Sequence, residues 1–240
     1  METRNELRSE QFLKLYRKLE GLLEKRYTGK RVTSGSVVME YLHDPDSAPC
    51  RADLDMCREI RNLLAHNDDT DGQPVIEPSE GVLELLDGIV DYVQRPRLAV
   101  DYGTPGDKIL FAHPNDSALD VMRHMMRMGY SHVPVRDKTG LVGVFSAGAL
   151  MSFVGDKGFE GLKDDLRIGD LKQALSVDNE RTDKYLFFDR TVTLTAVRMA
   201  FEKRQERNRR LAVVFITEDG ERHSQVLAML TPWDALKDRN

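Results

Sequence analysis

Arg61, Asn62 and His66 fall within one stretch, Arg58-Glu59-Ile60-Arg61-Asn62-Leu63-Leu64-Ala65-His66-Asn67. An imidazole exchanges protons near neutral pH, and a guanidinium stabilises the charge that builds on a phosphate under attack. Cationic groups near a helix C-terminus also suit the helix dipole, so a structural role stands beside the chemical one. Asp68, Asp69 and Asp71 follow directly and would repel a phosphate polyanion. A second constellation is Thr231-x-x-Asp234, with Arg209 and Arg210 ahead of the apolar run Leu211 to Ile216. Taken alone, Thr-x-x-Asp before a helix is an ordinary N-cap. The histidines His43, His66, His113, His124, His132 and His223 show no ligand spacing with one another or with Cys50 and Cys57, so no metal is expected. Gly103-Thr104-Pro105-Gly106-Asp107-Lys108 looks superficially like a phosphate loop, but it lacks the four-residue spacer and the Ser/Thr after its lysine.

The chain that must position these groups has 240 residues, 40% hydrophobic and 31% charged, with a formal net charge of -5. That composition supports a core and argues against a protein whose main task is to wrap nucleic acid. No apolar run approaches the roughly 18 residues that span a bilayer. The charged start Met1-Glu2-Thr3-Arg4 has no signal-peptide core, and two cysteines make no disulfide framework. A cytoplasmic location without membrane association is the expectation.

Two grammars divide the sequence. Residues 1–97 read as all helix. Phe12, Leu15, Tyr16, Leu19, Leu22, Leu23 and Tyr27 share one stripe that Gly29 ends. Val37 to Leu42 suggest a shorter helix, closed by Asp44-Pro45-Asp46, and Leu54, Cys57, Ile60 and Leu64 make a third stripe. Ser79 can cap a fourth helix with Val82, Leu85, Leu86, Ile89 and Val93 on its apolar face. From Lys108 short apolar runs alternate with helices: a strand at Ile109 to Phe111, a helix ended by Gly129, and paired strands at Val133 to Val135 and Leu141 to Phe145. The pattern Lys108 to Asn115 returns at Lys184 to Thr191, and strand–helix–strand–strand–helix follows each time. Such a repeat is expected to bury its sheet against its own copy.

The run Gly129-Tyr130-Ser131-His132-Val133-Pro134-Val135, with Gly143-Val144-Phe145-Ser146, resembles the heart of a CBS domain, and Leu227 to Leu236 resembles the end of a second. The resemblance implies a tandem CBS pair, a Bateman module, with repeats at 104–156 and 184–238 joined by a linker at 157–183. In that family adenine nucleotides bind in the cleft between repeats. The resemblance assigns Asp234 to the ribose hydroxyls, Thr231 and the basic Arg209 and Arg210 to phosphate, and Ser131, His132 and Val133 to the same cleft. Ser146 stands for the threonine of the first repeat, but Ala149 holds its aspartate position, so one good site per chain is expected. In the second repeat Ala212 stands where the family has its proline.

The Arg61-Asn62-x-x-x-His66 run, late in a helix of a four-helix bundle, resembles the HEPN superfamily, in whose active members Arg and His from two subunits cleave RNA without metal. The expected fold is therefore α+β: a HEPN-like four-helix bundle followed by two β-α-β-β-α CBS repeats. The leading expectation is a homodimeric regulatory protein, not an enzyme, that senses AMP, ADP, ATP or cyclic di-AMP and relays its ligand state to the helical domain. The alternatives are a nucleotide-gated ribonuclease using Arg61, Asn62 and His66, with RNA as partner, or a structural dimerisation module without ligand.

Overall fold

The computed structural model describes residues 7–29, 31–66, 76–178, 183–203 and 210–236. It divides into two units, one ending at Pro96 and one beginning at Arg97. Each is described by itself.

The first unit is built on amphipathic helices. In α1 (Arg8–Arg26) the residues Phe12, Tyr16, Leu19 and Leu23 recur at helical spacing and are all buried. Gly29 then turns the chain with φ 78°, a left-handed conformation that costs glycine nothing. Helix α2 (Val37–His43) starts where the Ser36 hydroxyl accepts the Met39 N–H, and α3 (Arg51–His66) buries Leu54 and Cys57. The last helix, α4 (Glu80–Gln94), buries Leu86, Ile89, Val90 and Val93. Ser79 holds the N-cap position of α4 as expected, but its side chain accepts no helix N–H. Its carbonyl does the work instead, accepting Val82 N–H at 3.0 Å and Leu83 N–H at 3.2 Å. Asp44-Pro45-Asp46 is more than a turn. The Asp46 carboxylate is buried and paired with Arg26 of α1, while Tyr41 and Tyr92 both donate their hydroxyls to the Asp46 carbonyl.

The second unit carries the strands. After β1 (Thr104–Pro105) come α5 (Ala118–Met128), β2 (His132–Asp137), β3 (Gly140–Ser146) and α6 (Ala147–Lys157). The short α7 (Lys172–Leu175) leads to β4 (Lys184–Asp189), α8 (Leu194–Glu202), β5 (Leu211–Thr217), β6 (Val226–Leu230) and α9 (Pro232–Leu236). The strands make a four-stranded sheet ordered β1-β6-β5-β4 and a two-stranded sheet of β2 and β3. Thus β1, which opens the first repeat, pairs with the last strand of the second: Thr104 lies opposite Met229.

In β5, Val213, Val214, Phe215 and Ile216 are all fully buried. Side chains alternate across a strand, so Val214 and Ile216 pack with Leu194 and Val197 of α8, while Val213 and Phe215 turn the other way. There they meet Leu141 and Val144 of β3 and Tyr185 of β4. A continuous apolar run is the mark of a strand covered on both faces.

Two sequence expectations change here. Ile109 to Phe111 is not a strand; among the described residues, only Ala112 makes an isolated parallel bridge, to Val135. Ala112 donates to the Pro134 carbonyl at 2.9 Å and accepts from Arg136 at 3.0 Å. One step back along that ladder the donor would be the N–H of Pro134, which proline lacks, so pairing stops. The second correction concerns the proline position of repeat two. Pro134 lies opposite Val144 and Val133 opposite Phe145; in the second repeat Phe215 lies opposite Met229 and Val214 opposite Leu230. Phe215, not Ala212, therefore holds the place of Pro134. Phe215 has an N–H to give, and β4 accordingly forms a full parallel strand against β5, with Phe187 opposite Phe215.

Gly143 of β3 is where α7 presses closest: a Cβ there would lie 2.4 Å from the Leu175 carbonyl oxygen. Gly143→Ala should lower the unfolding free energy by about 1–3 kcal/mol in urea denaturation, although alanine suits a strand better than glycine. An unchanged or raised midpoint would contradict this packing. In the helical unit, burial is the main cause that pushes the Tyr16 hydroxyl up to about 12. The unfolded chain releases that proton near pH 10 and the folded one near 12, so stability falls as pH rises between them. The loss, roughly 2–3 kcal/mol for Tyr16 alone, should appear in the pH dependence of urea midpoints and shrink in Tyr16→Phe.

Candidate functional site

Three backbone events bring polar groups from both repeats into one cleft. Gly129 ends α5 in the left-handed region (φ 71°), which swings the chain from helix to strand and leaves Ser131 and His132 at the mouth of β2. The 3₁₀ turn Gly106–Lys108 sets Lys108 and Ile109 beside them. From the second repeat, β6 ends at Leu230 and α9 begins at Pro232, a favoured first helical residue. Thr231 and Asp234 thus sit at the strand-to-helix corner. The resulting cleft of about 360 Å³ is lined by Thr104, Lys108, Tyr130, Ser131, His132, Thr231, Trp233 and Asp234, with Ile109, Leu110, Met128 and Met229 as its apolar part.

The polar groups are held by specific bonds. Asp234 Oδ2 accepts from the Thr231 N–H at 3.0 Å and the Thr231 hydroxyl at 2.7 Å, the reciprocal half of a capping box. His132 Nε2 lies 3.0 Å from Asp183 Oδ2, and its Nδ1 lies 2.8 Å from the Ser131 hydroxyl oxygen. The Tyr185 ring meets the imidazole edge-on at 6.2 Å. The corresponding corner of the first repeat is closed. Ser146 caps α6 by accepting the Ala149 N–H at 3.2 Å, and both residues are buried. Ala149 offers no carboxylate.

Of the residues singled out in the sequence, Ser131, His132, Thr231 and Asp234 converge on this cleft. Val133 lies behind it, 1% exposed. Arg210 is not among the lining residues; its carbonyl accepts the Lys184 N–H at 2.8 Å. Arg209 lies outside the described residues. Among the described residues, the ammonium that lines the cleft belongs to Lys108, which sequence reasoning used only as a repeat marker. Its recurrence as Lys184, at the same step of each repeat, was the available signal.

A larger hollow of about 650 Å³ lies between the β2–β3 turn and the loop before β6, with the Arg136 guanidinium 4.3 Å from the Phe111 ring centre. Asp137 there is taken up by the Thr139 N–H and hydroxyl within its own turn. The smaller cleft is the better candidate because it joins the hydroxyl of Thr231 and the carboxylate of Asp234 to His132 and Ser131, far away in the sequence.

In the helical unit, Arg61 turns back onto α1. Its guanidinium lies 5.9 Å from the Tyr16 ring centre and 3.9 Å from Glu20, and Asn62 is half-buried. His66 closes α3, but its side chain and Asp68, Asp69 and Asp71 lie outside the described residues. Burial is the main cause that pushes the Cys50 and Cys57 thiols up to about 11, so neither is a ready nucleophile. Among the described residues no three His, Cys, Asp or Glu side chains gather to hold a metal ion, and no helix is long and apolar enough to cross a membrane.

Several solved structures are similar to this chain. A protein of Methanocaldococcus jannaschii, described as a candidate archaeal homologue of g-AMPK, is 16% identical with a TM-score of 0.44. The match covers 75% of this chain and 62% of that one, so this chain spans under two thirds of its length. CBSX2 in complex with AMP is 17% identical with a TM-score of 0.42, over 58% of this chain and 93% of that one. The CBS domain of the bacterial CNNM/CorC family Mg²⁺ transporter in complex with ATP is 16% identical with a TM-score of 0.41, over 63% of this chain and 91% of that one. No curated protein matches the chain. The family model of the CBS domain matches residues 100–156 of this chain.

Proposed function

We propose that this is a regulatory protein, not an enzyme, whose cleft between two CBS repeats takes an adenine nucleotide. One observation carries the reading: Ser131 and His132 of the first repeat and Thr231 and Asp234 of the second line the same cleft of about 360 Å³. A cleft of that size suits a mononucleotide such as AMP. Asp234, already within a hydrogen-bonded corner, accepts from the ribose hydroxyls. The aliphatic group of Ile109, Leu110, Met128 and Met229 covers the base, and the Lys108 ammonium meets phosphate. ADP and ATP carry further phosphates, and cyclic di-AMP a second nucleotide, beyond the cleft at exposed Trp233 (77%).

In this reading the protein acts in the cytoplasm as a homodimer, without a metal, and the ligand biases the dimer through unequal affinity for two arrangements. Exposed Met199, Trp233 and Leu236 offer apolar surface for self-association. The helical unit, HEPN-like in its Arg61-Asn62-x-x-x-His66 run, reports the change. The packing of Arg61 on Tyr16 and Glu20 favours a structural use of that arginine over RNA cleavage.

Trp233 is the chain's single tryptophan and stands at the cleft, so its fluorescence reports occupancy directly. Titration with AMP, ADP, ATP and cyclic di-AMP should give saturable changes, with AMP sufficient. Asp234→Ala should weaken AMP by at least about tenfold, since a charged hydrogen bond contributes about 1.5–3 kcal/mol, while circular dichroism shows an intact fold. No response to any of the four, or an Asp234→Ala protein that binds AMP equally well, would refute the nucleotide reading.

A further inference from the structure

The chain Ser131–His132–Asp183 fixes which atoms Ser131 can offer to a ligand. His132 Nε2 faces the Asp183 carboxylate at 3.0 Å, and a carboxylate only accepts, so the imidazole proton sits on Nε2. Neutral His132 then presents a bare lone pair at Nδ1, 2.8 Å from the Ser131 oxygen. The Ser131 hydroxyl must donate its one proton to that lone pair. What Ser131 turns toward the cleft is therefore an acceptor. When His132 gains a proton, both ring nitrogens donate. Nε2–H keeps Asp183, Nδ1–H now points at Ser131, and the Ser131 hydroxyl must accept. Its own proton is released to the cleft, and Ser131 becomes a donor there.

We propose that Ser131 is a specificity-determining residue for the edge of the bound base, set by His132 and Asp183 to accept from a 6-amino purine when His132 is neutral and to donate to a 6-oxo purine when it is protonated. The inference rests on the nucleotide reading of this cleft and names the base chemistry it selects. Two observations aim the device at a ligand. Ser131 is exposed and lines the cleft, whereas the Asp183 end is half-buried. The relay also joins the first repeat to the entry of β4 in the second, so the side chain that reads the ligand is held by both repeats. Among the described residues, the titratable groups around His132 are Asp183 at 3.0 Å with Lys184 after it in the chain, Tyr185 with its ring at 6.2 Å, and Lys108, Tyr130 and Asp234 lining the same cleft.

The test compares AMP with IMP on the full chain by Trp233 fluorescence or calorimetry, between about pH 8 and about pH 5.5, the range in which a histidine titrates. The two nucleotides share ribose and phosphate, so titration of the phosphate cancels in the ratio of their affinities. AMP should bind roughly tenfold more tightly than IMP at the upper end, and the ratio should fall to unity or below at the lower end. Ser131→Ala should bind both nucleotides with a flat ratio, and His132→Gln should retain a ratio that no longer changes with pH. A wild-type ratio constant across the range while AMP still binds would overturn the inference and leave the nucleotide reading intact. So would a pH-dependent ratio that survives in Ser131→Ala. Failure of both nucleotides to bind at either pH would overturn the two together.

Discussion

The second unit depends on one apolar seam. Val213 and Phe215 of β5 meet Leu141 and Val144 of β3 and the ring of Tyr185, with Phe187 stacked 5.3 Å from Phe215. All five principal members are at most 6% exposed. Burying a side chain of this size is worth about 1.5–3 kcal/mol, so the group far outweighs any single polar contact in the cleft. The seam holds β3 against β4 and β5, and the polar groups of the cleft sit where β2 begins and β6 ends. Residues far apart in the sequence share the cleft: Ser131, His132 and Lys108 meet Thr231 and Asp234, and Asp183 holds the histidine.

The features legible in the sequence were those written in local chemistry. The helical stripe from Phe12 to Tyr27, the stop at Gly29, the left-handed Gly129 and the change of period after Lys108 are consequences of side-chain spacing and glycine conformation. Thr231 and Asp234 were legible for the same reason, because an N-cap and its reciprocal carboxylate are local. What escaped was non-local. Ladder register, not residue type, decides that Phe215 answers Pro134, and no single-strand pattern displays it. The pairing of Thr104 with Met229 joins residues from opposite ends of the unit. Arg210 was a reasonable cation by type, but the strand start it occupies aims its backbone at Lys184, leaving Lys108 to line the cleft. Asp46 read as a turn former and proved to carry a buried carboxylate paired with Arg26 and a backbone carbonyl that accepts from Tyr41 and Tyr92.

In the proposed reading the carboxylate of Asp234 has two uses that compete. In the structure its Oδ2 holds the Thr231 N–H and hydroxyl, closing the start of a helix of five residues. Such a cap is worth about 1 kcal/mol, and a helix this short has little else of its own to hold it. A ribose whose hydroxyls donate to the same carboxylate would draw on the group that fixes α9. Occupancy and the geometry of α9 are therefore linked, whichever of them gives way. The outward residues of α9 are Trp233 and Leu236, 77% and 67% exposed. A surface of that kind changes its affinity for another surface when its helix shifts. The cap thus supplies a short physical route from a sugar hydroxyl to an apolar face, with a coupling no larger than the difference in cap strength between the two states.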